Sequence, residues 1–494
     1  MHINQNDVLQ NIDFGNSVAE FDKDLERYFI KTDVFVDFIN DKYDIVSGDK
    51  GTGKTALYRY VYTKKNNIPE MSNVQVIAGF NPAGTPMFSG LISQGILEEG
   101  EYIKIWKAYF LSLIGNWLLL LYIGRYDERL KILDGLLDNL GLRSKDERPV
   151  SVFKNITVWL KYLLKPKSID FEVKIDSDDL MPIMKPKIVW GKDDNEITQG
   201  FMGDFNYDEA FELLNDIIQD NNIKVWVVLD RLDEAFIGYH EIEVSALRAL
   251  FRAYLDIQAF QALRLKIFVR KDLFRKIIAR QFVNLTHVNA RKKEIVWEAE
   301  DALSMICKRI REGSANNVML SLNNLSDYDV LYKIFPQKID RVDRGKNTWN
   351  WILSRTSDGT NSVIPRNIID LTNMSKEEQI RINARSNKVY YENDSLIEDD
   401  AIKKALKRLS EQRVDDTLLA EVSEDVKVLI RAFKGKKSEQ NDETISKLFN
   451  VDIWEASRFA KTLIDIGLFE DKNGFYKIPI LYREGLSIVN GKAF

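Results

Sequence analysis

The sequence predicts an α/β protein: a parallel-sheet core with a helical insertion, then a helical lid and a small C-terminal domain. Three observations predict it. Apolar runs of strand length alternate with helical patterns across roughly residues 41–297, as a parallel sheet with crossover helices requires. A glycine cluster at 48–53 stands between the first strand and a helix. Residues 424–494 read as three helices and then two apolar runs around Asn473-Gly474, a strong hairpin signal.

Composition sets the bounds. The 494 residues are 45% hydrophobic and 29% charged, ordinary globular usage that excludes a collagen, a disordered tail and a mucin-like stalk. Seventy Lys and Arg against 75 Asp and Glu give a net charge of −5, so no global pull toward nucleic acid follows. A single cysteine, Cys307, excludes an internal disulfide and a Cys-ligated zinc site. His2, His240 and His287 are too few for a histidine-rich metal centre. The composition is that of a reduced, cytoplasmic protein, and MHINQNDVLQNIDFGNS has neither region of a secretory signal.

The elements follow in order. Residues 1–40 read as a helical lead-in, where Asn16 or Ser17 caps AEFDKDLERYFI with Phe21, Leu25, Tyr28 and Phe29 at helical spacing. The core, 41–297, opens on a strand run at Tyr43–Val46, the glycine loop and the helix TALYRYVYTKK. VQVIAGF, VWVVL (225–229), LKIFV (265–269) and EIVW (294–297) supply further strands. Residues 81–205 form a mainly helical insertion, with patterns near 100–123, 126–140 and 150–164 and then a Pro- and Asp-punctuated piece holding a short hairpin. A helical lid is expected over 298–395. The remainder, 396–494, holds DVKVLIRAF, ETISKLF and WEASRFAKTLIDIG before the hairpin, which together make a winged-helix domain.

One stretch tests the reading of a protein without a membrane span. Ala108–Gly124, AYFLSLIGNWLLLLYIG, has Ser112 and Asn116 as its clearly polar members and is flanked by Lys107 and Arg125. A span needs about 20 apolar residues. With Gly115-Asn116 near its middle, this stretch reads as a buried core helix.

The chemistry sits in the glycine loop. Gly48-Asp49-Lys50-Gly51-Thr52-Gly53-Lys54-Thr55 matches the phosphate-loop pattern, with Ala56 continuing into the helix. Glycines let backbone N–H groups turn inward around phosphates, and the helix offers its positive end. Lys54 suits β- and γ-phosphates, and the Thr55 hydroxyl suits Mg²⁺. A Mg²⁺-dependent ATPase also needs a carboxylate at the end of another buried strand, which Asp230 supplies after VWVVL. Asp233 and Glu234 follow as alternative bases for the attacking water. Arg270 closes the next strand, where a fixed guanidinium can sense a γ-phosphate. Farther on, Pro365 is placed to pack on adenine and Arg366 to reach the phosphates from the lid. A helix-start proline with an exposed arginine fits the same residues.

Together, the glycine loop, the DRLDE strand end, the arginine after LKIFV and the Ile364-Pro365-Arg366 helix start resemble AAA+ and STAND-type P-loop ATPases. FGNSVAEFDKDLERYFIKT, VRKDLFRK and IPILYREGL resemble one bacterial branch of them, often found beside defence or mobile-element genes. The resemblance covers nearly the whole chain and is weakest over 81–205. It implies ATP and Mg²⁺ binding, hydrolysis, a helical lid and a C-terminal winged helix. By position it implies Lys54 and Thr55 in Walker A, Asp230 in Walker B, Arg270 as sensor 1 and Arg366 as sensor 2. Many AAA+ proteins place Glu directly after the Walker B Asp, but Arg231 stands there in this chain, so the resemblance assigns no base. STAND-like switches tolerate slow turnover, which suits that departure.

The expected activity is therefore that of a nucleotide-controlled switch or assembly ATPase in bacterial anti-phage defence, acting on a homo-oligomer or an effector protein. Two charge patterns bear on partners. Arg264–Glu294 carries ten Lys or Arg against Asp272 and Glu294. It reads as a solvated basic face, as an interface offering Arg275 or Arg280 to a neighbour's ATP, or as a nucleic-acid contact. The last helix of the winged-helix pattern carries Asp452, Glu455 and Asp465 against Arg458 and Lys461, a count that speaks against DNA in the major groove. A DNA-binding regulator with a secondary nucleotide site is the alternative.

Overall fold

The six residues Lys224–Leu229, five of them consecutively buried, make a strand that needs cover on both faces. The computed structural model supplies that cover. It describes residues 5–79, 97–125, 127–144, 171–174, 183–186, 205–232, 234, 240–279, 282–313, 322, 324–340, 347–386, 391, 394–420 and 422–494. The helical pattern near 150–164, Asp233 and Arg280 lie outside them. The chain packs as two units, one of residues 33–48 and 61–294, the other of residues 1–32, 49–60 and 295–494.

The first unit holds the sheet. Strand β1 (Ile45–Gly48) is followed in sequence by the glycine loop and helix α1 (Lys54–Lys64). Next come β2 (Val74–Ala78), helices α2 (Glu99–Leu121) and α3 (Glu128–Asn139), and β3 (Phe171–Lys174) paired antiparallel with β4 (Ile183–Pro186). Helix α4 (Tyr207–Asp220), β5 (Lys224–Leu229), α5 (His240–Ile257), β6 (Leu263–Arg270), α6 (Lys271–Ile278) and β7 (Lys292–Glu294) complete it. The five-stranded sheet runs in the order β2-β5-β6-β1-β7, with every neighbour parallel. β7 corrects the expected EIVW strand. Its three residues are charged, and Ile295, Val296 and Trp297 lie beyond it, because the apolar run begins where the chain has already left the sheet.

Helix α2 is the apolar stretch, and it lies in the core with Ala108 to Ile114 almost wholly buried. Its polar residues have partners there. Ser112 donates to the Leu142 carbonyl at 2.7 Å, and the Asn116 amide donates to the same carbonyl at 2.9 Å. The Asn116 oxygen accepts from Arg143 at 2.9 Å and from the Ser144 N–H at 2.8 Å. A Cβ on Gly115 would stand 2.8 Å from Leu137, so glycine lets α3 approach. Among the described residues no helix is long and apolar enough to cross a membrane.

The second unit contains α7 (Ala299–Gly313), α8 (Pro365–Asn383) and α9 (Asp399–Arg413). The N-terminal segment belongs to it, but the expected helix over AEFDKDLERYFI is one turn, Leu25–Tyr28. Burial of Asp22 explains the difference: its carboxylate is 2% exposed and leaves the helical path to pair with Arg309 at 3.0 Å and accept the Tyr28 hydroxyl. Cys307 is likewise structural. Burial pushes its thiol up to about 12, and it donates to the Asp327 carbonyl. The chain ends with α10 (Glu424–Ala432), β8 (Lys437–Gln440), α11 (Asp442–Phe449), α12 (Ile453–Asp465), β9 (Glu470–Asp471), β10 (Tyr476–Lys477) and β11 (Val489–Lys492). These strands form a sheet ordered β11-β8-β10-β9. Asn473 and Gly474, at φ 57° and 90°, turn the β9–β10 hairpin.

Below the sheet of the first unit, Asp44 is wholly buried against Lys266 at 2.9 Å and Arg291 at 2.6 Å, and it accepts the Tyr254 hydroxyl at 3.0 Å. Burial alone would raise its carboxyl; the Lys266 charge and hydrogen bonds from Arg291 and Lys266 hold it below the ordinary carboxylate range. Lys266→Met breaks this buried pair and is expected to lower stability by about 3–5 kcal/mol in urea unfolding at pH 7. The Asp44 contribution is complete above the ordinary carboxylate pKa of about 4 and is lost as pH falls from there through its lowered value. The difference between wild type and variant therefore shrinks in that acid window.

Candidate nucleotide-binding site

The loop after β1 is shaped by two glycines with left-handed backbone, Gly51 at φ 82° and Gly53 at φ 99°. The Asp49 carbonyl is its inner acceptor. It takes the Thr52 hydroxyl at 2.8 Å, the Lys54 ammonium at 2.9 Å and, in a longer contact of 3.4 Å, the Thr52 N–H. Lys54 starts α1, so its ammonium folds back over the turn that precedes it. Helical geometry leaves the first N–H groups of α1 without intrahelical acceptors, and Thr55 and Ala56 stand in that turn. A Cβ on Gly53 would meet nothing nearer than Ala56 at 4.0 Å. A glycine-turned loop running into a helix start suits a phosphate chain.

Donors from the same unit hold the loop from outside. The Arg366 N–H donates to the Gly51 carbonyl at 3.3 Å, and the Trp297 indole donates to the Thr52 carbonyl at 2.8 Å. Ser362 donates to the Asp49 carboxylate at 3.2 Å, and Lys50 reaches the Asp416 carbonyl at 3.5 Å. A Cβ on Gly51 would stand 2.8 Å from that of Arg366, so glycine is needed for this approach. Pro365 is buried at the first turn of α8, and Arg366 is half-buried beside the loop.

The sheet unit supplies the other candidates. β6 separates β5 from β1, and Gly48 is in register with Arg270 while Leu229 is level with Ile267. Asp230 therefore leaves the same strand-end edge as Gly48 and Arg270, and it is buried. Arg231 adopts a left-handed backbone, φ 58°, and its guanidinium lies 3.4 Å from Glu234. The Arg270 fork closes on Asp272 at 3.1 and 2.9 Å. Burial raises the Asp272 carboxyl, but the Arg270 charge and hydrogen bonds outweigh it and leave the group below its usual range. Arg275 is exposed on α6.

Sequence reasoning missed Trp297, Ser362, Asp272 and Lys50's carbonyl partner. Trp297 carries the strand-like pattern EIVW, and the others act through neighbours that sequence distance hides. It also missed the loop 357–364, which faces two ways. Ser362 meets Asp49, while the Gly359 N–H donates to the Gly467 carbonyl at 2.7 Å and Asn361 donates to Glu470 at 2.6 Å. Asp358, pushed up by burial and further by the Asp49 charge against hydrogen bonds from Thr360, lies beside Gly467.

No family model matches the sequence, and no curated protein is similar enough to stand as a relative. Solved structures match in outline. The Orc1 protein of Aeropyrum pernix, solved in complex with DNA, is 10% identical and covers 96% of each chain with a TM-score of 0.36. The Walker-type ATPase PABY2304 of Pyrococcus abyssi is 11% identical over 96% of this chain and 98% of its own, with a TM-score of 0.40. The Orc2 protein of Aeropyrum pernix, in ADPNP–ADP complexes, is 11% identical over 94% and 91%, with a TM-score of 0.36. At these scores the reading rests on the chain's own residues.

The two-faced loop has a measurable requirement. A Cβ on Gly359 would overlap the Phe469 carbonyl oxygen and stand 2.7 Å from that of Gly467, both backbone atoms that yield little. Gly359→Ala is expected to destabilise the protein by about 1–3 kcal/mol in urea or thermal unfolding, as overpacking does. Gly435→Ala, at a glycine with open space around it but φ 75°, separates backbone strain from this crowding.

Proposed function

We propose that this chain is a Mg²⁺-dependent ATP-binding and hydrolysing P-loop ATPase that works as a nucleotide-controlled switch or assembly ATPase. One observation carries the reading: the loop that turns on Gly51 and Gly53 leaves β1 at the strand edge where Asp230 ends β5. Lys54 exchanges a neutral carbonyl for phosphate oxygens, a stronger, charge-assisted partner. Loop and helix N–H groups take the remaining phosphate oxygens. The Thr55 hydroxyl and the Asp230 carboxylate would hold the metal, which supplies positive charge opposite the β- and γ-phosphates. Arg270 senses the γ-phosphate by trading Asp272 for it, and Arg366 approaches from the helix that already touches the loop. Pro365 packs near the base. Asp233 and Glu234 are the two candidate bases.

Support for a switch comes from the loop 357–364, whose contacts with Asp49 and Gly467 tie the phosphate loop to the C-terminal module within one unit. We read that module as a winged helix. The partner class is a second copy of the chain or an effector protein. The cytoplasmic, anti-phage setting rests on composition and on the sequence resemblance.

A second reading, a DNA-binding regulator, draws on aromatic and cationic groups of the C-terminal module. On α12 Trp454, Arg458 and Lys461 are exposed, with Arg458 5.4 Å over the Trp454 ring, on a face that the exposed Asp465 shares. On β11, Lys492 lies 5.4 Å from Phe494, which stacks on Phe475 at 5.0 Å. Aromatic and cationic groups of this kind suit a nucleic-acid strand.

Lys54→Ala is expected to weaken ATP binding at least tenfold by calorimetry, and unchanged affinity removes the ATPase reading. Asp230→Ala is expected to retain nucleotide binding without metal and lose the increment that Mg²⁺ adds, together with hydrolysis. DNA affinity that falls steeply with salt and ignores ATP, together with loss on Lys492→Glu, would favour the regulator.

A further inference from the structure

We infer that Trp297 is a positioning residue for the phosphate-binding loop, acting through the Thr52–Gly53 peptide. The inference rests on the nucleotide reading above and assigns a residue that the phosphate-loop pattern does not contain. Trp297 lies three residues beyond β7 and is half-buried, packed against the apolar core of its unit. Its indole N–H, a donor with no acceptor role, reaches the Thr52 carbonyl at 2.8 Å.

A trans peptide points its C=O and N–H in opposite directions. Holding the Thr52 carbonyl toward the indole therefore turns the Gly53 N–H away from it. Without a pin this peptide flips easily, because flipping rotates ψ of Thr52 and φ of Gly53, and glycine tolerates either sign. Thr52 is itself fixed, since its side chain is buried and its hydroxyl is bonded to Asp49. The preceding peptide is held in the same manner. The Arg366 N–H takes the Gly51 carbonyl, and the Thr52 N–H points the other way, toward the Asp49 carbonyl. Two successive carbonyls are thus held by donors outside the loop, so that the N–H of the second peptide is presented before phosphate arrives. Such preorganisation removes an ordering cost from binding.

The test is Trp297→Phe, which keeps an aromatic ring and removes the donor, with Trp297→His as a second variant that restores a ring N–H. Binding of ATP, ADP and adenosine is measured for both alongside the melting temperature of the free protein. Trp297→Phe is expected to weaken ATP and ADP about three- to tenfold, the scale of one hydrogen bond, leave adenosine within twofold and keep the melting temperature within about 2 °C. Trp297→His is expected to recover part of the loss. ATP affinity within twofold of wild type in Trp297→Phe overturns the inference. So does an equal loss for ATP and adenosine, or a Trp297→His no better than Trp297→Phe, since packing alone would produce either. Lys54→Ala separates the two levels. If it weakens ATP while Trp297→Phe does not, the nucleotide reading stands and this inference falls; if neither variant weakens ATP, the nucleotide reading falls.

Discussion

The buried Asp44 carboxylate fixes the height and register of β1, on which the candidate site depends. A four-residue strand brings few ladder bonds of its own, so its base needs another anchor. Here the Asp44 and Ile45 N–H groups share the Arg291 carbonyl, the Ile267 N–H takes the Asp44 carbonyl, and the carboxylate is surrounded by Lys266, Arg291 and the Tyr254 hydroxyl. Lys266 also lies 4.1 Å over the Trp226 ring of β5. One ion therefore links three neighbouring strands and the segment that leads into the fourth. The far end of β1 inherits the result: Gly48 arrives opposite Arg270, and whatever leaves Gly48 starts from a set position.

From that position the loop has a different problem. Glycine freedom that allows inward N–H groups also allows wrong ones, so the loop's carbonyls have to be held. Asp49 accepts from inside, while Gly51 and Thr52 are held from outside by Arg366 and Trp297. Lys54 occupies an intermediate condition. Its ammonium rests on a neutral oxygen at 2.9 Å, satisfied but replaceable. A phosphate anion displaces such a partner because charge-assisted hydrogen bonds are roughly twice as strong as neutral ones.

Much of this was legible in the sequence where local chemistry decides the outcome. VWVVL could only be a buried strand, Gly51 and Gly53 stand where backbone needs positive φ, and Asn473-Gly474 turns the hairpin as its residues require. Ala108–Gly124 read as core helix because Gly115 and Asn116 interrupt the apolar run, and the structure gives each a packing role. Legibility failed where distant partners decide. Asp22 looks helical until Arg309, 287 residues away, takes its carboxylate. KKE forms β7 because β1 offers it an edge, a preference no propensity scale contains. β8, with the polar sequence KSEQ, is a strand because β10 and β11 flank it.

The two arginines at the strand edge each have a local acidic partner. Arg270 is closed on Asp272 by a two-pronged bond, and Arg231 leans on Glu234. Each acid is two or three residues away, so both pairs form wherever the local backbone forms. A phosphate oxygen offered to Arg270 therefore exchanges one anionic partner for another and need not strip water from a bare guanidinium. The cost of that exchange falls on Asp272, half-exposed, which water can solvate again. Glu234 differs, because its partner Arg231 is held in left-handed backbone, which L-amino acids adopt at a cost. Arg231, directly after Asp230, thus forms a local ion pair with Glu234.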